Sequence, residues 1–128
     1  MMGISIGKAA ERAGLSVHTL RYYEKEGLLP FVDRSPSGTR CFKESDFEWL
    51  AMIHCLKNTG MTIRDIHEFV GWSMEGDATL QKRLDMFLAQ RQEIEARMLE
   101  FQKYLEKIEY KINYYENAIR AAEGIFYP

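Results

Sequence analysis

Residues Ile4 to Phe42 read ISIGKAAERAGLSVHTLRYYEKEGLLPFVDRSPSGTRCF, and hold two short helical patterns, a glycine-bounded turn, an arginine-tyrosine cluster and a polar hairpin. Ser5 is placed to cap a first helix, whose Ile6, Ala9, Ala10 and Ala13 recur at helical spacing until Gly14 offers a left-handed stop. Ser16 opens a second helix in which Val17, Leu20 and then Tyr23 or Glu24 turn inward. Two helices joined by a short glycine-bearing turn form a helix-turn-helix pattern, whose second helix enters a DNA major groove by its N-terminal end. Ser16, His18, Thr19, Arg21 and Tyr22 are then the candidate DNA-binding residues. Arginine grips phosphate or guanine, and a tyrosine hydroxyl holds a phosphate oxygen. An ordinary helical hairpin with a solvated face fits this segment equally well.

The continuation separates the two readings. Gly27-Leu28-Leu29-Pro30 ends the second helix, and Pro36-Ser37-Gly38 marks a tight turn. Arg34 and Arg40 stand on its two arms, so the predicted hairpin is a positively charged wing that lies along a phosphate backbone. The segments LRYYEKEGLLP and SGTRCF resemble the mercury-resistance-regulator (MerR) family of bacterial transcription factors. That family's usual pattern is an Arg-Tyr-Tyr helix, Gly-Leu-Leu, then a Gly-x-Arg-x-Tyr wing. Phe42 stands where tyrosine is usual, keeping a packing role without a hydroxyl.

The resemblance runs on through Val70. Trp49, Met52, Ile53 and Leu56 give one apolar face, Asn58-Thr59-Gly60 breaks the helix, and Thr62 with Asp65 three residues later forms a capping box. This second helix-turn-helix is implied to support the wing and to place Lys57 near the DNA backbone; a solvated surface lysine is the other reading of Lys57.

The chain has 128 residues, 46% of them hydrophobic, and no apolar run near the roughly 18 residues that cross a bilayer. No signal peptide is visible. One soluble cytoplasmic domain with an appended helix is expected, without membrane association. The net charge of −2 is unevenly spread. Residues 1–43 carry seven Lys/Arg against four acids, a balance of +3, residues 44–76 balance at −4, and the rest at −1. A basic head above an acidic middle fits a protein that touches DNA at one end.

From about Thr79 to Ala122 there is neither glycine nor proline. Leu84, Phe87, Arg91, Ile94, Met98, Phe101, Leu105, Ile108, Ile112, Tyr115 and Ile119 recur in steps of three and four. That spacing predicts one long helix with a coiled-coil seam. The resemblance implies an antiparallel homodimer built from this helix. Arg91 interrupts the seam; it either meets Glu116 or a tyrosine of a second subunit or, the reading preferred, snorkels to solvent.

The expected fold is therefore all-α with a small β-hairpin wing: a winged helix-turn-helix head over 1–76, a coiled-coil dimerisation helix over 77–123, and a short tail over 124–128 with no separate effector domain. The resemblance further implies double-stranded promoter DNA that is bent and untwisted, and RNA polymerase, as partners.

Cys41, Cys55, His18, His54 and His67 are scattered over the head and make no metal-ligand spacing, so neither a metal nor a cofactor is expected. Cys41, on the wing, is expected to be exposed. Cys55 sits beside His54 and near Lys57 in IHCLKNTGMTI, followed by MEGDATL, which resembles the branch of the family whose single cysteine answers aldehydes or nitrosative stress. A small buried hydrophobe is the other reading of Cys55. Phe69, Val70, Trp72, Met74, Met86 and Phe87 are candidates for an apolar pocket, with plain packing favoured. A coiled-coil adaptor remains as an alternative class. An enzyme is not expected, because no nucleophile-base set, phosphate loop or paired carboxylates emerge.

Overall fold

The computed structural model describes residues 4–124. In order these form α1 (Ile6–Ala13), α2 (Val17–Lys25), strands β1 (Asp33–Arg34) and β2 (Arg40–Cys41), α3 (Glu44–Asn58), α4 (Ile63–Glu75), a 3-10 turn (Asp77–Thr79) and α5 (Leu80–Ala122). Residues 125–128 of the expected tail lie outside the described residues.

The short helices begin and end where local chemistry dictates. Ser16 Oγ accepts the Thr19 amide at 3.0 Å, and Thr62 Oγ1 accepts the Asp65 amide at 3.1 Å, each satisfying a donor that a helix start leaves open. Gly14 stops α1 at φ 70°, with Leu15 N–H returning to Ala10 O at 2.9 Å. Gly27 is held more tightly. Its φ is 75°, and a Cβ there would stand 3.0 Å from His67 Nε2 on α4, so both backbone and neighbour select glycine.

The hairpin pairs Asp33 with Cys41 and Arg34 with Arg40 in antiparallel register, and Ile4 bridges Phe42 beyond it. Its turn is closed by Gly38 N–H to Ser35 O at 2.9 Å.

Leu20 and Tyr23 of α2, Leu50, Ile53 and Leu56 of α3, and Ile66, Phe69 and Val70 of α4 converge with Ala9, Ala10, Leu28, Leu29, Phe42 and Met61 into one core. Each large side chain there contributes about 1.5–3 kcal/mol of burial. Phe42 is buried beside Phe47, as its packing role required. The face of α3 differs from expectation by a fraction of a turn. Leu50 points inward and Met52 is 39% exposed, because Asp46, Leu50, Ile53 and Leu56 follow the helical repeat that meets α1 and α4. Cys41 is also corrected: it is buried, its thiol donating to Thr39 O at 3.6 Å. Alternation along β2 turns Arg40 outward and so sends Cys41 in.

The chain divides by packing between Phe87 and Leu88, inside α5. Phe87, counted with the seam, packs edge-on against Phe69 at 5.1 Å and extends the head's core. Phe31, Trp49, Phe69 and Phe87 form a chain of ring contacts from the wing root to the start of α5. Thr79 secures the α4 end: its buried hydroxyl faces Trp72 O at 2.5 Å and Gly76 O at 3.0 Å, and Arg83 donates to both Thr79 Oγ1 and Gly76 O.

The second unit is α5 from Leu88 onward. The whole helix has 43 residues and buries none of them; at 1.5 Å per residue it is about 65 Å long. Arg91 is exposed in the single chain, its Nε 3.6 Å from Glu95 on the same helix. Tyr104 donates to Glu100 at 2.6 Å, a bond that with the glutamate's charge raises the phenol's pKa.

Candidate nucleic-acid interface

His18, Arg21, Tyr22 and Lys25 share the outward face of α2, at positions one helical turn apart, and all four are exposed. Tyr22 keeps 38% of its surface open. Opposite them Leu20 and Tyr23 anchor the helix in the core. Ser16 and Thr19 are already engaged with each other, their hydroxyls 2.9 Å apart at the cap, so they fix the start of α2 before anything binds.

Tyr23 reaches the neighbouring helix. Its hydroxyl lies 3.0 Å from His54 Nδ1 on α3, and His54 Nε2 lies 2.9 Å from Asn58 Nδ2. Burial, then the neighbouring Tyr22, raises the Tyr23 pKa, so the phenol holds its proton through the physiological range.

The wing is fixed to the edge of α2 by a carboxylate whose partners the sequence did not reveal. Glu24 Oε1 pairs with Arg34 Nη2 and Glu24 Oε2 with Arg40 Nε, while Arg34 Nη1 donates to Gly38 O at 2.8 Å. The structure thus brings Arg34 and Arg40 together at one end of α2. Lys57 is exposed at the end of α3.

Two more pairings escaped the sequence. Asp46, 1% exposed, accepts the Lys43 amide at 2.9 Å and Lys43 Nζ at 3.2 Å, capping α3 and tying it to the wing root, where Lys43 also meets Asp33 and Phe31 O. Arg12 joins α1 to α3 by pairing with Glu44 while its guanidinium lies 4.3 Å from the centre of the Phe47 ring.

Cys55 is exposed on α3, and Thr59 Oγ1 donates to its carbonyl at 2.8 Å. Of the suggested pocket residues, Phe69 and Val70 are buried, Met86 and Phe87 pack on the core, and Met74 is 57% exposed. Among the described residues, no three His, Cys, Asp or Glu side chains group to hold a metal ion, and no helix is long and apolar enough to cross a membrane.

Comparison with known proteins agrees with this arrangement. The model for the MerR HTH family regulatory protein matches residues 4–70, and the MerR, DNA binding model matches 47–109. An HTH-type transcriptional regulator of Haemophilus influenzae is 43% identical over 117 residues, covering 91% of this chain and 87% of that one. Among solved structures, HiNmlR, a MerR family regulator lacking the sensor domain and bound to promoter DNA, superimposes with TM-score 0.84 at 41% identity, covering 97% of each chain. A MerR family regulator from Bacillus thuringiensis superimposes with TM-score 0.80 at 42% identity, over 88% of this chain and 98% of that one. The chain belongs to the MerR family and is a DNA-binding transcription regulator.

Proposed function

We propose that the protein works as a homodimer in the bacterial cytosol, reading two half-sites of promoter DNA with paired α2 helices and laying its wings along the flanking backbone. The observation that carries this reading is the exposed face of α2, His18, Arg21, Tyr22 and Lys25, with Arg34 and Arg40 gathered at its edge. HiNmlR, so similar over nearly its whole length, is a regulator solved on promoter DNA. Arg21 and Tyr22 serve as base-edge and phosphate contacts; Arg34, Arg40 and Lys57 serve as phosphate contacts. The seam of α5, Leu84, Ile94, Met98, Phe101, Leu105, Ile108, Ile112, Tyr115 and Ile119, joins two copies antiparallel and so fixes the separation of the two heads. Fixed separation turns binding energy into bending and untwisting of the intervening DNA, which sets how RNA polymerase meets the promoter. Arg21→Ala is expected to weaken binding to a mixed-sequence duplex about tenfold and to lower the salt slope by about one, with the oligomeric state unchanged. An unchanged slope in a salt titration refutes the contact.

A second reading concerns control. Cys55 is exposed on α3, open to reagents from solvent, while Cys41 is shielded. We infer that Cys55 is the thiol through which aldehyde or nitrosative electrophiles act. Cys55→Ser is expected to retain DNA binding and to lose its response to such electrophiles in a promoter-binding assay; Cys41→Ser is expected to keep the response. A responsive Cys55→Ser protein removes that residue from the mechanism.

A further inference from the structure

We infer that Glu24 is a positioning residue for DNA binding, holding the two wing arginines at the edge of the recognition helix. This rests on the proposed phosphate contacts of Arg34 and Arg40 and adds the residue on which they depend.

A hairpin of two-residue strands has little stability of its own. Here its register sets Arg34 directly opposite Arg40, and like charges facing each other across a ladder repel. One carboxylate answers both guanidinium groups. Glu24 takes Arg34 with one oxygen and Arg40 with the other, and its side chain is only 18% exposed, against 52% for Arg34 and 29% for Arg40. The anion therefore sits inside, behind two cations that open outward. Arg34 also holds Gly38 O, so the same contact orients the tip of the turn.

A guanidinium has five N–H donors in a rigid fork. Hydrogen bonds to Glu24 and Gly38 use two on Arg34, and Arg40 meets Glu24 through Nε as an ion pair, leaving donors on each fork for phosphate oxygens. Two long side chains are thus ordered before DNA arrives, which spares the complex that loss of rotamer freedom. Because Glu24 belongs to α2, the wing's phosphate grip and the groove-facing residues His18, Arg21 and Tyr22 move as one body.

The opposite physical expectation is equally definite: removing a negative charge beside DNA strengthens non-specific binding. Glu24→Gln, which keeps the shape and discards the charge, separates the two. Affinity for a mixed-sequence duplex is expected to fall about tenfold, and the salt slope by about one, in protein shown by circular dichroism to be folded at the assay temperature. Glu24→Asp is expected to recover part of the loss. In an Arg34→Ala/Arg40→Ala background, Glu24→Gln is expected to add nothing. If the double arginine variant weakens binding but Glu24→Gln leaves it unchanged or tightens it, positioning by Glu24 is overturned and the arginine contacts stand. If the double variant leaves affinity and slope unchanged, the arginine contacts fail and the role of Glu24 falls with them.

Discussion

Ile108→Asp is expected to convert the proposed dimer into monomers in sedimentation velocity, and to remove tight binding to two-half-site DNA while leaving the head folded. Ile108 lies well inside the α5 seam, toward its C-terminal end, and is 58% exposed in the single chain, with Leu105 at 47% and Ile112 at 51% on either side. A bare stripe of this length in water is unstable unless a second apolar stripe covers it. Covering Ile108 contributes about 2 kcal/mol, and an aspartate in its place adds an unpaired charge costing about 3 kcal/mol or more. Twofold symmetry doubles both terms. A shift of the aspartate to the helix rim or its protonation relieves part of the cost, and a loss of about four orders of magnitude in the dimer Kd is the minimum expected. Lys107→Asp, one residue away and off the seam, is the control: it introduces the same aspartate with a larger change of charge and is expected to stay dimeric. A dimeric Ile108→Asp protein rejects the seam.

How much of this was legible in the chain depended on distance along it. The Ser16 cap, the Gly14 stop, the break at Gly27 and the turn at Pro36-Ser37-Gly38 are local signals, complete within a few residues, and the structure places them as read. The length of α5 was equally plain, since nothing between Thr79 and Ala122 breaks a helix. Glu24 was not legible in its role: its partners lie 10 and 16 residues ahead across a loop, and no periodicity connects them. His54 meets Tyr23 across 31 residues, again a product of helix packing alone. Phe87 satisfied the seam spacing and still belongs to the head, because the first turns of α5 lie against α4. Met52 and Leu50 are both apolar and half a turn apart, so only the neighbouring helices decided which one is buried. Cys41 was different, since alternation beside an outward Arg40 already pointed it inward.

The second large effect is expected at Asp46, where Asp46→Ala should lower head stability by about 2–3 kcal/mol and the unfolding midpoint by about 10 °C. The carboxylate is 1% exposed, and it alone receives both the Lys43 amide, at 2.9 Å, and Lys43 Nζ, at 3.2 Å. Alanine leaves the amide at the start of α3 without its acceptor and opens a small void among core residues. Lys43→Met divides the two contributions, because it keeps the backbone amide and removes only the ammonium. That group is nearly half exposed, so the ion pair is screened and its loss is expected to cost about 1 kcal/mol or less. The pH dependence carries the same distinction. Desolvation pulls the Lys43 pKa down, but the Asp46 hydrogen bond and charge, with those of Asp33, outweigh it and leave the folded value above the ordinary 10.5. A raised folded pKa means that the ion pair's contribution is fully present below the unfolded value and disappears as pH climbs through the folded one. The wild-type head is therefore expected to lose an increment of stability above about pH 10.5 that Lys43→Met does not show and that Asp46→Ala, which keeps Asp33, shows only in reduced form. At neutral pH, Asp46→Ala should remain well below Lys43→Met in thermal unfolding. Equal losses in the two variants would place the stabilisation in the ammonium and deny Asp46 its role as the cap of α3.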